Sequence, residues 1–177
     1  MKFRRIKKRF GFYITKSLLV LISYFSHRLY MRCYIPLLRK YGMKIKGEPR
    51  YIAKNVKFDD FDKISLSERD VISHDVEFLT HDYSYTTALI SKGEMPSSDI
   101  AITKPIKIGK NVFIGSRSFI LPGTIIGDNC IIAAASVVRG FIPEGSVYMG
   151  NPGKVIKKMD ELIEKWEQNN SQNLRID

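Results

Sequence analysis

The sequence predicts a mainly β protein: a parallel β-helix of six-residue repeats, with an N-terminal helical segment before it and a C-terminal helix after it. Three observations carry this prediction. An aliphatic residue recurs every six positions, small residues that let the chain turn follow it at fixed offsets, and the excess basic charge is confined to the N-terminus. The aliphatic residues that keep the period are Ile108, Ile114, Ile120, Ile126, Ile132 and Val138. An α-helix repeats at about 3.6 residues and a half-buried strand at about two, so a period of six indicates short strands joined by tight corners.

Residues 1–44 are predicted to form a basic amphipathic helical segment. Residues 1–46 contain 13 Lys/Arg and no Asp/Glu. Apolar residues recur there at helical spacing, at Ile14, Leu18, Leu21, Ile22, Phe25 and Leu29. The apolar run is shorter than the roughly 20 residues that span a bilayer, and no cleavage site typical of a signal peptide follows it. Two interpretations stay open: a helix docked on its own domain or a neighbouring subunit, or peripheral membrane contact through residues 1–40.

The rest of the chain is nearly neutral. The net charge is +11, and residues 47–177 hold 16 Lys/Arg against 18 Asp/Glu, a net charge of −2. This balance argues against a nucleic-acid partner for the main body. The two cysteines, Cys33 and Cys130, lack metal-ligand spacing, so we expect no metal, no disulfide framework and a cytoplasmic location. Peripheral attachment at the inner face of the cell membrane stays open as part of that location.

The β-helix is predicted over residues 45–156, with an interruption in its middle. Upstream of the regular repeats the period returns in weaker form, at Ile52, Phe58, Leu66, Ile72 and Phe78. One step of eight residues, between the second and third of these, predicts a bulged corner. The period then lapses over an excursion loop, residues 82–104, directly after His81. Long loops inside compact domains are usually functional or disordered, so the excursion and its histidine mark the predicted site. Residues 157–177 are predicted as a C-terminal helix and tail.

The motifs of the second half resemble a known family. Residues 108–158 read IGKNVFIGSRSFILPGTIIGDNCIIAAASVVRGFIPEGSVYMGNPGKVIKK. This run, the Thr-His pair before the excursion and the closing GNPGKVIK are similar to the hexapeptide-repeat acyltransferases, in particular the galactoside, maltose and polysaccharide O-acetyltransferases. The resemblance covers residues 45–160. It implies a left-handed β-helix, a homotrimer, and acetyl-CoA bound in the groove between neighbouring subunits.

The resemblance also implies the reaction and the residues that perform it. The expected activity is O-acetylation of a sugar hydroxyl, within surface-polysaccharide biosynthesis. His81 lies where the family has its catalytic base, and imidazole suits this task because its unperturbed pKa is about 6.5. Asp59, or Asp82 directly after the histidine, is expected to orient the imidazole. Asp60 and two excursion residues, Tyr83 and Tyr85, are expected to contact the acceptor.

Five further residues match positions that contact CoA in the family. Ser116 and Ala134 correspond to residues along the pantetheine arm. Arg139 stands where the family often has a Thr-Lys pair, and Lys154 and Lys157 match basic positions near the phosphates, where lysine acts as a point charge.

Three alternatives remain at this point. One is N-acetylation of an amino sugar carried on a nucleotide. A second is O-acetylation of serine or another small molecule. A third is a non-catalytic hexapeptide scaffold, because a repeat fold does not by itself imply chemistry.

Overall fold

A computed structural model describes residues 2–170, with side-chain surroundings for residues 10–169. The predicted tail after residue 170 lies outside the described residues. Within the described range the chain forms the α-helices α1 (Lys2–Ser23), α2 (His27–Lys40), α3 (Ser84–Ser91) and α4 (Met159–Asn170). No helix among the described residues is both long enough and apolar enough to cross a bilayer.

Three parallel sheets form the sides of a β-helix, which confirms the predicted fold class. Sheet one contains β1 (Lys44–Ile45), β4 (Ile64–Leu66), β9 (Ile106–Ile108), β12 (Ile125–Ile126) and β15 (Phe141–Ile142). Sheet two contains β2 (Tyr51–Ile52), β5 (Val71–Ile72), β10 (Phe113–Ile114), β13 (Ile131–Ile132) and β16 (Ser146–Gly150), and β17 (Gly153–Lys158) joins it antiparallel. Sheet three contains β3 (Lys57–Phe58), β6 (Glu77–Phe78), β11 (Phe119–Ile120) and β14 (Val137–Val138). The chain is therefore divided below into coil 1 (44–58), coil 2 (64–78), coil 3 (106–120), coil 4 (125–138) and coil 5 (141–150).

The six-residue period places equivalent aliphatic side chains on top of one another. In sheet two, Ile52, Ile72, Ile114 and Ile132 pair in register from coil 1 to coil 4, and each is fully buried. Burying a side chain of this size contributes about 1.5–3 kcal/mol. The stack supplies the core that holds successive coils at a fixed separation.

Close contact between coils explains the small residue directly after the aliphatic one, and it corrects the prediction that this residue turns the chain. A Cβ on Gly115 would lie 2.4 Å from the backbone nitrogen of Ala134 in the next coil. The corner itself is turned two residues later, where Arg117 has a φ of 60° and Ala135 a φ of 57°. Glycine at position 115 is therefore required for stacking, whereas the left-handed conformation at these two corners is adopted by Arg117 and Ala135.

The N-terminal segment folds as two helices that cover the first coil. The break between them is fixed by Ser26, whose hydroxyl accepts a hydrogen bond from the Leu29 N–H at 3.2 Å. Phe12 of α1 and Tyr34 of α2 are buried between the helices and the β-helix. These helices shield the open end of the core, which would otherwise expose coil 1 to water.

The structure gives the detail of one predicted feature and shifts the start of another. The bulged corner between coils 1 and 2 is a 3₁₀ turn, Phe61–Lys63, which accounts for the step of eight residues. At the C-terminus, residues 153–158 turn back as β17, so α4 begins at Met159 rather than at residue 157.

Candidate active site

His81 lies where coil 2 gives way to the excursion. It forms β7 (His81–Asp82), which pairs antiparallel with β8 (Ile102–Thr103) at the other end of the excursion. Its side chain is 30% exposed. Coils 2 and 3 still stack beside the departure point, because the Leu79 N–H donates to the Ile120 carbonyl at 2.9 Å. The histidine is thus anchored to the regular part of the fold while facing an opening in it.

Two aspartates directly after coil 1 lie beside the histidine. Asp59 Oδ2 is 3.3 Å from His81 Nδ1, and Asp60 Oδ2 is 4.0 Å from the same nitrogen. Asp59 and His81 are far apart in sequence, and the stacking of coils 1 and 2 brings them together. The Asp59 backbone N–H donates to the Phe78 carbonyl at 3.1 Å, which sets the register between the two coils.

Thr80 links both aspartates to the end of coil 2 that carries the histidine. Its backbone N–H donates to Asp59 Oδ2 at 3.1 Å, and its hydroxyl donates to Asp60 Oδ2 at 3.2 Å. Thr80 is fully buried, so these bonds are shielded from water. The sequence prediction gave the threonine no role of its own; its position directly before the histidine was the available signal.

Asp82, the other expected partner of the imidazole, is engaged elsewhere. Its carboxylate accepts the Ser84 backbone N–H at 2.8 Å, at the start of α3. That hydrogen bond is the main reason why the pKa of Asp82 is lowered, with a smaller contribution from the positive charge of Arg139. Asp82 therefore fixes the first turn of the excursion helix, while Asp59 is the carboxylate placed at Nδ1.

The excursion has a defined structure that the sequence did not predict. It contains α3, and Thr86 of that helix is tied to the returning chain through its hydroxyl, which accepts the Ile100 N–H at 2.7 Å. Tyr83 places its ring edge-on to the His81 ring, with centroids 5.3 Å apart. Tyr83 and Tyr85 are both exposed, so their side chains flank the histidine without being locked in the core.

The residues expected to hold CoA fall into three places. Ser116 and Ala134 lie on the same corner in successive coils, joined by the Ala135 N–H to the Ser116 carbonyl at 2.9 Å. Arg139 follows β14, at the corner where His81 lies two coils earlier. Lys154 and Lys157 lie on β17, opposite Met149 and Val147 of β16.

The corner of Ser116 stacks on His74 rather than on His81. The hydrogen bond that joins them runs from the Arg117 N–H to the His74 carbonyl at 2.9 Å. Within one chain, Ser116 and Ala134 therefore lie on a different edge of the β-helix from His81, whereas Arg139 lies on the same edge as His81.

His74 offers an internal comparison with His81. Its Nε2 lies 3.1 Å from the Tyr51 hydroxyl and its Nδ1 lies 3.0 Å from Asn55 Oδ1. Both ring nitrogens of His74 therefore have a side-chain partner within the chain. His81, in contrast, has a carboxylate at Nδ1 and lies beside an exposed tyrosine at the mouth of the excursion.

Comparison with known proteins agrees with this architecture. The family model described as "Hexapeptide repeat of succinyl-transferase" matches residues 105–139. "Putative lipopolysaccharide biosynthesis O-acetyl transferase WbbJ" of Escherichia coli (strain K12) is 32% identical over 126 residues, which are 66% of this chain and 64% of that protein. This chain thus spans less than two thirds of the length of that relative.

Two solved structures extend the comparison to three dimensions. The maltose O-acetyltransferase from Clostridium difficile 630 is 31% identical, with a TM-score of 0.50, and the match covers 70% of this chain and 73% of that one. A galactoside acetyltransferase in complex with coenzyme A shares the fold at 22% identity, with a TM-score of 0.57, over 93% of this chain and 87% of that one. The chain belongs to the hexapeptide-repeat acyltransferase family, and its fold is the left-handed parallel β-helix of that family.

Proposed function

We propose that the protein transfers the acetyl group of acetyl-CoA to a hydroxyl group of a sugar, with His81 as the general base. The observation that carries the proposal is the His81 imidazole, whose Nδ1 lies 3.3 Å from Asp59 Oδ2 at the long interruption between coils 2 and 3. Relatives named as maltose and lipopolysaccharide O-acetyltransferases support the reaction class.

The position of Asp59 supports a different role for each ring nitrogen of His81. A carboxylate at Nδ1 stabilises the tautomer with the proton on Nδ1, so Nε2 carries the lone pair that accepts a proton. The acceptor hydroxyl loses its proton to Nε2 as its oxygen attacks the thioester carbonyl. The tetrahedral intermediate then collapses, the carbon–sulfur bond breaks, and the proton on Nε2 passes to the leaving CoA thiolate. Positioned base catalysis of this kind contributes about 10²–10⁴-fold.

The CoA-binding role rests on Ser116, Ala134, Arg139, Lys154 and Lys157. Ala134 is exposed and carries only a methyl group, so a pantetheine arm could approach the backbone of that corner closely. Arg139 and Lys154 are exposed cations suited to the phosphates of the nucleotide. In this proposal acetyl-CoA is the only cosubstrate besides the acceptor.

A homotrimer would complete the site. Sheet three separates the corner of Ser116 and Ala134 from the corner of His81 within one chain. A neighbouring copy can place its Ser116 corner against the His81 corner of the first, which aligns donor and acceptor in one groove. Phe119, which points outward from sheet three and is 39% exposed, supplies an apolar residue for such an interface.

The acceptor is assigned to the class of sugars in surface polysaccharides or their precursors. Support comes from the relative named for lipopolysaccharide biosynthesis and from the groups beside His81. Asp60 can accept a hydrogen bond from a sugar hydroxyl, and the exposed rings of Tyr83 and Tyr85 can pack on a sugar face.

The test is release of free CoA thiol by the full-length protein with acetyl-CoA and a panel of acceptors. The panel contains galactosides, maltose, nucleotide-linked amino sugars and serine. We expect thiol release with at least one sugar hydroxyl acceptor and none with serine. Release with serine or an amino sugar alone would overturn the acceptor assignment. No release with any acceptor, together with no CoA binding by calorimetry, would favour the non-catalytic scaffold.

A further inference from the structure

A row of exposed apolar side chains runs along the outer face of α1 and the turn after it. Their spacing of three or four residues places the helical members on one side of the helix. They include the most exposed aromatic residue of this region, Phe25 at 91%, and Phe10 at 67%. The row, called the outer stripe below, consists of Phe10, Ile14, Leu18, Leu21 and Phe25.

The outer stripe takes no part in holding α1 on the protein. The opposite side of the helix does this, through buried Phe12, partly buried Leu19 and the amine of Lys16. Lys16 Nζ donates to the Val56 carbonyl at 3.2 Å, and burial lowers the pKa of this amine to about 8. A helix that is docked on one side normally exposes a polar opposite face, whereas α1 exposes an apolar one.

The N-terminal segment that contains the stripe has basic residues and no acidic ones. Residues 1–46 contain 13 Lys/Arg and no Asp/Glu, and six of the basic residues lie in the first nine positions. Arg28 and Arg32 of α2 are exposed. A second copy presenting the same face would bring like charges together, and the main body, with a net charge of −2, offers little complementary charge.

We propose that the outer stripe docks on the surface of an anionic lipid bilayer. α1 would lie in the plane of the interface, with the stripe among the acyl chains and the surrounding Lys/Arg at the phosphate level. Acidic lipids attract a basic segment by about 1 kcal/mol per Lys/Arg, and the apolar residues add burial. This inference is independent of the acetyl-transfer proposal.

The test is co-sedimentation of the full-length protein with vesicles of phosphatidylcholine alone or of phosphatidylcholine with about 30% phosphatidylglycerol. We expect binding to the anionic vesicles, weak binding to the neutral ones, and release by salt. The variant Leu18→Ser/Leu21→Ser/Phe25→Ser removes three stripe residues that are exposed in the folded chain, and it should reduce partitioning by at least about 10-fold.

Charge variants separate electrostatic attraction from apolar burial. Arg28→Glu/Arg32→Glu should weaken binding to anionic vesicles by at least about 25-fold. Each lost arginine removes about 1 kcal/mol of attraction, which is about fivefold in affinity. Lys107→Glu/Lys165→Glu, on the exposed main body, is the matched control and should bind as wild type.

Three results would overturn the inference: equal binding to neutral vesicles, unchanged binding of the triple serine variant, or no vesicle binding by the wild type. If the triple variant instead falls to a smaller species in analytical ultracentrifugation, the stripe is a contact between copies of this chain and the membrane inference is also overturned. Circular dichroism and urea denaturation report the folding of each variant without using enzymatic activity, so failure here leaves the proposed function untouched.

Discussion

The excursion between coils 2 and 3 precedes the regular coils 3 and 4 in the sequence. The two regions are held in shape by different interactions. Between residues 106 and 138 every sixth residue is buried and stacks on its equivalent in the next coil. Between residues 83 and 104 only Thr86 is buried, and a short helix and one strand pair shape the chain.

The difference shows that the regular coils and the interruption have separate roles in this fold. The regular coils fix the backbone, because each corner is held by the corners above and below it. The interruption supplies side chains of varied shape and exposure, with His81 at the junction. Precise placement therefore comes from the repeat, and the room for a substrate comes from the place where the repeat stops.

The largest expected effect comes from a methyl group placed between two coils. In Gly115→Ala the new Cβ would lie 2.4 Å from Ala134 N, so coils 3 and 4 would have to separate. We expect a loss of more than about 3 kcal/mol in the free energy of unfolding, or no folded protein.

Gly93→Ala in the excursion is the matched control for that substitution. A Cβ added at Gly93 would have nothing within 4 Å, and only the φ of 83° opposes alanine there. It should cost about 1–2 kcal/mol. Urea denaturation measures both variants, and equal losses would contradict the division between coils and excursion.

The next largest effect concerns Asp70, whose carboxylate holds a corner of coil 2 together and joins it to coil 3. Asp70 is fully buried and accepts the backbone N–H groups of Ser67 at 2.7 Å and Val112 at 3.1 Å. Burial raises its pKa to about 7, so the folded state holds a proton that the unfolded state releases near pH 4. Its contribution to stability is therefore complete below about pH 4 and is lost as the pH rises to about 7.

The substitution Asp70→Asn removes this titration. Between about pH 4 and pH 8 the stability of wild type should fall relative to that of the variant, by up to about 4 kcal/mol for a shift of about three units. Asp99→Asn on the exposed excursion is the control of equal charge change. If the free energies of unfolding of wild type and Asp70→Asn run parallel across this pH range, Asp70 does not titrate there.

Smaller effects on kcat and KM distinguish the site residue that follows coil 1, Asp59, from the site residue in the excursion, Tyr85. Asp59→Ala removes the carboxylate at His81 Nδ1 and should lower kcat about 10- to 100-fold with little change in KM. Asp59→Asn, which keeps an oxygen acceptor, should recover most of the rate.

Tyr85→Ala should mainly raise KM, because its exposed ring belongs to the excursion. A fall in kcat from Tyr85→Ala alone would reverse these assignments.

The coils could be predicted from the sequence because their six-residue period depends only on which residue type occupies each position. The continuation into coil 5 was harder to recognise, because the corner before it is shorter than the others. Ile142 therefore follows Val138 by fewer than six residues. The helix α3 was not predicted, because its position depends on the Asp82 hydrogen bond and the Thr86 tie, which no periodicity reveals.

The site was predictable to the level of residue types but not of partners. His81 stood out beside the lapse of the repeat, and Asp59 was one of several acidic candidates. The choice of Asp59 over Asp82 at Nδ1 depends on the register of coils 1 and 2 and on buried Thr80, and these are properties of stacking. The outer stripe of α1 was visible as helical spacing, but its exposure could be seen only once α2 and coil 1 covered the opposite side.

The most direct test of His81 as the base compares two histidine variants in the same thiol-release assay, with saturating acetyl-CoA and the best sugar acceptor. His81→Ala removes the imidazole at the interruption, and His74→Ala removes the imidazole whose nitrogens are both paired within the coils. We predict a fall in kcat of about 10²–10⁴-fold for His81→Ala and a change below about threefold for His74→Ala. Wild-type turnover by a folded His81→Ala protein would contradict the assignment.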